Sequence, residues 1–406
     1  MIKVSVSNEI DVCIISPGLL ETGTTRGGGC EVTDYNVALQ LSKYFNVSII
    51  STYTNKYEGT IRVNEHFTIE QVHFPALRNY PFKSKFEIAS NHFLTFLYSF
   101  LVAIKILKLH KKNLKVIVVH NPQTAILSIL LAKITKIKII YAEGNLLPWI
   151  DPYILPTKTT LLSKIFHFYN LYFGLLACSL ADKIRTQSQS IKEGMIRHGV
   201  NSNKIEVIAA GVETDLFFPS GALESCERTV MVGFIGRLTE IKGVNLLLEI
   251  VKKSVKELPN VRFLIFGEGP YKHNFMGLPN IEHLGAVPRN ELNRYLSKLH
   301  IVLFFQKELG RAEIEAMSSG KVIIACKMGE MTEMIKHLES GILCEPNSRE
   351  YIKAIKDLSV DSSLRRKISK KARQTVLASF TWDIIGTRWM SLCAELIEKK
   401  EFSKSI

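Results

Sequence analysis

Short β-branched and aliphatic runs alternate with longer helical patterns along the whole chain, in two successive series. In the first half the strand-like runs are Val12–Ile15, Val47–Ser51, Ile69–Val72, Val116–Val119, Ile137–Ala142, Lys183–Thr186 and Ile205–Ile208. Helical patterns lie between them, among them Glu31–Lys43, Glu87–Leu109 and Ile191–His198. The second half repeats the arrangement with Val230–Ile235, Val261–Phe266, Ile281–Leu284, Ile301–Phe304, Val322–Ala325 and Ile342–Cys344, and with helices at Val244–Glu257, Arg289–Lys298 and Ile352–Asp357. The tail Trp382–Glu401 reads as one more helix. Continuously apolar strands separated by helices require parallel sheets covered on both faces. The predicted architecture is α/β, with two doubly wound Rossmann-like domains joined near Phe218–Arg228. The first spans 1–219 together with 382–402, and the second spans 228–381. Two such domains place a ligand cleft at the carboxyl ends of their strands.

Composition removes several alternatives. With 406 residues, 46% of them apolar, the chain has material for two packed cores and is not disordered. Its seven cysteines are scattered without a Cys-x-x-Cys pair, so neither a disulfide framework nor a zinc site is expected, and a cytoplasmic setting is. Glu9 and Asp11 interrupt what would be the apolar core of a secretory signal. The uncharged stretches Ile88–Ile104, Val116–Ala132 and Ile165–Ala181 fall short of the roughly 20 apolar residues that cross a bilayer, and read as buried or membrane-surface elements. The formal net charge is +14, and Lys83–Lys138 holds ten lysines against the single Glu87. Such a patch suits nucleic acid, an anionic membrane or an acidic ligand, and charge alone does not choose.

The candidate chemistry lies just after strands. Gly27-Gly28-Gly29 opens a helix, where bare backbone N–H groups can approach a phosphate; a plain surface loop is an equal reading. Gly236-Arg237-Leu-Thr-Glu-Ile-Lys242-Gly243 follows Val230–Ile235 and supplies two cations for a diphosphate. Gly211–Pro219 reads as a turn and apolar anchor at the domain junction, and Gly267-Glu-Gly-Pro270 as a tight turn at a cleft edge. In Glu308–Met317, Glu313 is expected to be solvated at a helix start, whereas Glu315 is better placed for ligand hydroxyls. His120 ends the strand Val116–Val119. No Ser-His-Asp, His-Glu-x-x-His or P-loop pattern occurs.

Taken in order, these segments resemble the retaining, GT-B-type glycosyltransferases of glycosyltransferase family 4. The likeness runs through Gly27–Gly29, Val207–Pro219, Gly236–Gly243, Phe266–Pro270, Glu315-Ala-Met-Ser-Ser-Gly320 and Gly329–Glu333. It implies that Arg237 and Lys242 hold the diphosphate of a nucleotide-sugar, that Gly28 and Gly29 approach the same phosphates, and that Glu315 bonds the ribose. It further implies that His120 lies beside the transferred sugar, that the base sits near Gly267–Pro270 and Val287-Pro288, and that the C-terminal helix returns to the first domain. No cofactor or metal is expected beyond the donor substrate.

One departure stands out. The family carries two glutamates separated by seven residues, and the first of these positions is Lys307, with Glu308 one residue late. A lysine cannot accept hydrogen bonds from sugar hydroxyls. Either Glu308 shifts into the role, or donor recognition is altered, or the chain is a degenerate subunit that binds nucleotide-sugar or a partner without turnover. Glu330, where a glycine is usual, is expected to crowd the phosphate side. The leading expectation is a cytoplasmic glycosyltransferase acting on a lipid-linked, lipid or glycan acceptor. It would associate peripherally with an anionic membrane through the lysine-rich segment and its aromatic residues Phe86, Phe93, Phe96, Tyr98 and Phe100. Nucleic-acid binding is disfavoured, since no RNA-binding motif accompanies the lysines.

Overall fold

A computed structural model of the chain describes residues 9–16, 29–53, 59–73, 85–120, 122–144, 161–220 and 229–402. Gly27 and Gly28, and residues 221–228 of the expected linker, lie outside the described residues. The chain divides into two units, one formed by Met1–Ala209 with Trp382–Ile406, the other by Ala210–Thr381.

In the first unit the elements are β1 (Val12–Ile15), α1 (Gly29–Leu41), β2 (Val47–Tyr53), β3 (Thr60–Asn64), β4 (Phe67–His73), α2 (Lys85–His110) and β5 (Val116–Val119). They continue with α3 (Pro122–Ile134), β6 (Lys138–Glu143), α4 (Leu161–Leu180), β7 (Lys183–Thr186), α5 (Gln189–Arg197) and β8 (Ile205–Val207). The sheet order is β3-β4-β2-β1-β5-β6-β7-β8. Only the edge strand β3 runs antiparallel. Side chains alternate across a strand, and here both faces are dry. Cys13, Ile15, Ile117 and Val119 pack under α2 to α5, whereas Val12, Ile14, Val116 and Val118 pack under α1 and the C-terminal helix Trp382–Phe402. That helix brings Trp382, Ile385, Trp389 and Leu396 onto the sheet. Gly386 permits its close approach to α1, because a Cβ there would stand 2.6 Å from the Gln40 Cβ.

The second unit contains β9 (Val230–Ile235), α6 (Val244–Glu257), β10 (Val261–Phe266), β11 (Ile281–Gly285), α7 (Leu292–Leu296), β12 (Ile301–Phe304) and α8 (Arg311–Ser318). It ends with β13 (Val322–Cys326), α9 (Met331–Met334), β14 (Ile342–Cys344), α10 (Ser348–Val360) and α11 (Ser362–Ser379). The order β11-β10-β9-β12-β13-β14 is that of a doubly wound parallel sheet, whose strand order switches between β9 and β12. Phe234, Phe263 and Leu303 face α6 and α10; Phe266, Val302 and Phe304 face α8 and α11. The helix expected at Arg289–Lys298 is instead one 3-10 turn, Arg289–Glu291, leading into α7.

The division between units falls earlier than Pro219, where the sequence places the end of the first domain. Val212 donates its N–H to Phe380 O at 2.9 Å. Phe217 is fully buried in the second core, and its carbonyl accepts from Ser318 Oγ at 2.6 Å and Arg373 Nη1 at 2.7 Å. Residues 210–219 are therefore anchored to the second sheet by both apolar burial and backbone hydrogen bonds. Truncation of Phe217 to alanine leaves a cavity under α8 and α11. The expected cost to the second unit is about 3–5 kcal/mol, read as an earlier midpoint in urea unfolding without loss of the first unit's transition.

Candidate functional site

The crevice at a topological switch point collects whatever follows the two flanking strands. In the second unit those strands are β9 and β12, and the residues that follow them are Gly236-Arg237 and Phe305-Gln306-Lys307. The turn after β10 supports this corner through backbone contact. Gly236 N donates to Phe266 O, and Leu238 N donates to Glu268 O at 2.9 Å. A Cβ on Gly267 would stand 1.9 Å from Gly236 O, and one on Gly269 would stand 2.4 Å from Leu238 O. Gly267 and Pro270 thus belong to a turn whose glycines are required for packing against the Arg237 loop. Gly243 (φ 72°) caps α6 in the left-handed region, pressed so closely on Phe305 that no side chain fits. Arg237 is exposed and its side chain makes no hydrogen bond or ion pair among the described residues, while Lys242 is half-buried.

Glu313 is not solvated, contrary to expectation. It is fully buried near the start of α8, where Gln306 Nε2 donates to its Oε1. Its Oε2 is buried without a hydrogen bond among the described residues. Burial pushes this carboxyl up to about 7, against the pull of Lys242 and of the backbone N–H groups at the helix start. The helix-dipole reading of a carboxylate near an N-terminus is correct about position and wrong about solvent, because the loop after β12 folds over it. Gln306 carries no sequence signal of this role.

Glu315 is also buried, and its Oε1 accepts from Arg289 Nε at 3.0 Å and from Arg311 Nη2 at 3.1 Å. Arg289 continues to Glu213, with Nη1 to Oε1 at 3.0 Å, and lies over the Phe217 ring. Two carboxylates and two guanidinium groups close into one network, and nothing in the sequence singles out either arginine or Glu213. Burial raises the Glu315 carboxyl above its usual range, with Arg311 and Arg289 opposing. Glu213 feels burial first, yet its bonds to Arg289 hold it below the usual value. Val287 lies just ahead of Arg289, half-buried against the same core.

Lys307 and Glu308 are half-buried on the loop between β12 and α8. Glu330 does not project toward the crevice mouth as expected. It is fully buried, accepts from Leu309 N at 2.5 Å through Oε2, and donates its own N–H to Lys307 O at 3.0 Å. Its carboxylate therefore holds the loop that carries Lys307 and Glu308.

In the first unit the sheet reverses between β1 and β5. His120 follows β5 and stands 2.8 Å from Asp34 Oδ1 on α1. Burial alone would lower the imidazole's proton affinity, but Asp34 more than offsets it and the net shift is upward. Tyr98 is fully buried, its hydroxyl donating to Ser16 O at 3.0 Å, so it is no part of a surface patch. Gly29, the first residue of α1, is exposed, and a Cβ there would meet nothing within 4 Å.

On α2 the outward face is apolar: Leu97, Phe100, Ile104 and Leu107 are all exposed, at helical spacing. Lys108, Lys111 and Lys112 follow at its end, also exposed. The side chains of Phe86, Phe93 and Phe96 lie outside the described residues. Among the described residues no helix is long and apolar enough to cross a membrane.

Two family models match. Residues 27–216 match Glycosyltransferase Family 4, and residues 221–375 match Glycosyl transferases group 1. Among curated proteins, a phosphatidylinositol N-acetylglucosaminyltransferase subunit from Arabidopsis thaliana is 29% identical over 45% of this chain and 43% of its own length. The sulfoquinovosyl transferase SQD2 of the same plant is 28% identical over 51% of this chain and 43% of its length. The chain spans about half the length of such curated relatives. Among solved structures, sucrose-phosphate synthase from Thermosynechococcus elongatus superposes with a TM-score of 0.77 at 18% identity, covering 96% of this chain and all of that one. Anabaena Alr3699/HepE in complex with UDP-glucose gives 0.69 at 17% identity, covering 95% of this chain and 100% of that one. These likenesses establish the GT-B fold.

Glu313 makes stability depend on pH. In the unfolded chain its carboxyl ionises near 4.5, whereas in the fold it does so near 7. Between those values the unfolded state sheds a proton that the folded state keeps, so stability present below pH 4.5 declines up to about pH 7. At about 1.4 kcal/mol per unit the loss is on the order of 3 kcal/mol. Glu313→Gln cannot ionise, so its stability relative to the parent chain rises across that window, measured by urea unfolding at pH 4.5 and pH 8.

Proposed function

Because the chain belongs to glycosyltransferase family 4, we propose that it moves a sugar from a nucleotide-diphosphate-sugar to a hydroxyl acceptor with retention at the anomeric carbon. The observation that carries this reading is the placement of Arg237 and Lys242 directly after β9, at the switch point of a doubly wound sheet. An exposed guanidinium without a partner among the described residues and a half-buried ammonium suit a ligand rich in anionic oxygens.

In the proposed reaction the bond from the anomeric carbon to the β-phosphate oxygen breaks and its electron pair leaves with the phosphate. Arg237 and Lys242 stabilise the charge that develops there. The acceptor oxygen bonds the anomeric carbon on the same face, and its proton passes to the departing phosphate oxygen. No protein nucleophile and no metal enters this scheme; positioning and electrostatics carry it. Glu315, held by Arg289 and Arg311, is assigned to the ribose, and the turn Gly267–Pro270 with Val287 to the base. Gly28 and Gly29 are assigned to the phosphates, and His120, oriented by Asp34, to the transferred sugar. Glu308 is assigned to the sugar hydroxyls, for which Lys307 offers no acceptor.

The proposed acceptor is a lipid, a lipid-linked glycan or a glycan at the cytosolic face of a membrane. The apolar outward face of α2, followed by exposed lysines, supports peripheral docking on an anionic bilayer. The relative named as a phosphatidylinositol N-acetylglucosaminyltransferase subunit is in keeping with a lipid acceptor. Lys307 favours one second reading, a subunit that binds nucleotide-sugar without turnover.

A screen of nucleotide-sugars by thermal shift followed by transfer assays separates the two. Arg237→Ala and Lys242→Ala are each expected to lower kcat about 10²- to 10³-fold while leaving the fold intact. Sugar transfer by the isolated chain removes the second reading, and donor binding without any transfer removes the first. For the membrane, Phe100→Ser with Leu107→Ser is expected to release the protein from anionic liposomes at low salt; unchanged co-sedimentation would exclude α2 as the docking face.

A further inference from the structure

The group that the proposed mechanism leaves unused is Glu313. It is fully buried, one oxygen is held by Gln306 and the other has no hydrogen bond among the described residues. It stands among the elements that carry the cations. Gly243, next to Lys242, packs on Phe305, and a Cβ built on it would lie 2.3 Å from the Phe305 Cβ. Gln306 is the next residue of that same strand end, and its amide reaches Glu313. A Cβ on Gly310, the cap of α8, would stand 2.8 Å from Glu313 Oε2. Lys242 and Glu313 are thus linked through two turns that have no slack, and the ammonium acts on the carboxyl through space.

We propose that Glu313 is a positioning residue for the diphosphate clamp, serving as the buried counter-charge of Lys242 while the site is free and taking up a proton from solvent when donor phosphate arrives. This rests on the reading of Arg237 and Lys242 as that clamp. The charged and polar groups that face Glu313 are Lys242 from the turn after β9, Gln306 from the loop after β12, and Glu315 with the backbone N–H groups of Gly310 and Glu313 on α8. Of these, Lys242 and the N–H groups favour the carboxylate, as does the Gln306 amide, while burial and Glu315 favour the acid. A diphosphate at Lys242 spends that ammonium's field on the ligand and adds negative charge of its own. Both changes shift the balance toward the acid, so the only bond formed is O–H on Glu313, with the proton supplied by water. The free carboxyl titrates at about 7, so this exchange falls within the working pH range.

The test is UDP and GDP binding by titration calorimetry between pH 6 and pH 8.5, in buffers of different ionisation enthalpy. The nucleotide's own phosphate titrates as well, so the wild-type chain is compared with Glu313→Gln. The wild-type dissociation constant is expected to rise roughly 3- to 10-fold relative to the variant's across that range. At pH 7 the wild-type chain is expected to take up roughly half a proton more than the variant. Gln306→Leu keeps the carboxyl but removes a donor to its charged form, and is expected to move the midpoint of this dependence to higher pH. Equal pH dependence in the wild-type chain and Glu313→Gln, or an unmoved midpoint in Gln306→Leu, overturns the proposal while leaving the clamp standing. Binding of neither nucleotide at any pH overturns the clamp itself, and Glu313's role with it.

Discussion

Between the turns that leave β9 and β10 there is no space for a side-chain carbon, and the geometry of the second unit depends on that contact. Gly267 and Gly269 lie against the backbone of Gly236–Leu238, and hydrogen bonds from Gly236 N and Leu238 N lock the two turns together. Arg237 therefore leaves a rigid backbone while its guanidinium stays in solvent. Lys242 is set by a second close contact, where Gly243 presses on Phe305. A ligand arriving here meets cations whose backbone is already ordered, which lowers the entropy lost on binding.

Charge is handled differently on the two sides of this corner. Glu213, Arg289, Arg311 and Glu315 neutralise one another through short contacts, which is how buried ions are ordinarily tolerated. Truncating any one of them strands its partner in a dry setting. Glu313 is held by a neutral amide and by the field of one lysine, and so remains poised between its two protonation states. Glu330 spends its carboxylate on the backbone of the loop bearing Lys307 and Glu308. The carboxylates of this corner thus divide into those that fix backbone, those that neutralise arginine, and one left free to respond.

The first unit shows the same economy. Both faces of β1 and β5 are dry, so the sheet needs cover on each side, and the C-terminal helix supplies part of it beside α1. Asp34 on α1 then reaches His120 at the end of β5. Apolar surface not used in this way remains on the outside of α2, where Leu97, Phe100, Ile104 and Leu107 gain nothing by folding. Exposed apolar surface of this kind marks an interaction site.

Strands buried on both faces were plain in the sequence. β1, β5, β7, β9, β10, β12 and β14 span the residues expected from the sequence, β1 and β5 as unbroken apolar runs between polar residues. β3 was missed because an edge strand buried on one side at most carries no such run, and α11 because its many lysines and arginines mask the stripe Ile368, Ala372 and Val376. Order and spacing of short motifs were enough to indicate the family, since each marks the end of a strand in a sheet of fixed winding. What the sequence by itself determined was the alternation of strands and helices and the positions of Arg237, Lys242 and His120 along it. Only the tertiary structure decided that Glu313 is buried, that Glu330 turns under its loop, and that Arg289 reaches Glu213 and Glu315. Those outcomes depend on loops remote in sequence meeting in space, and a carboxylate's solvent and partners are properties of that meeting rather than of its neighbours along the chain.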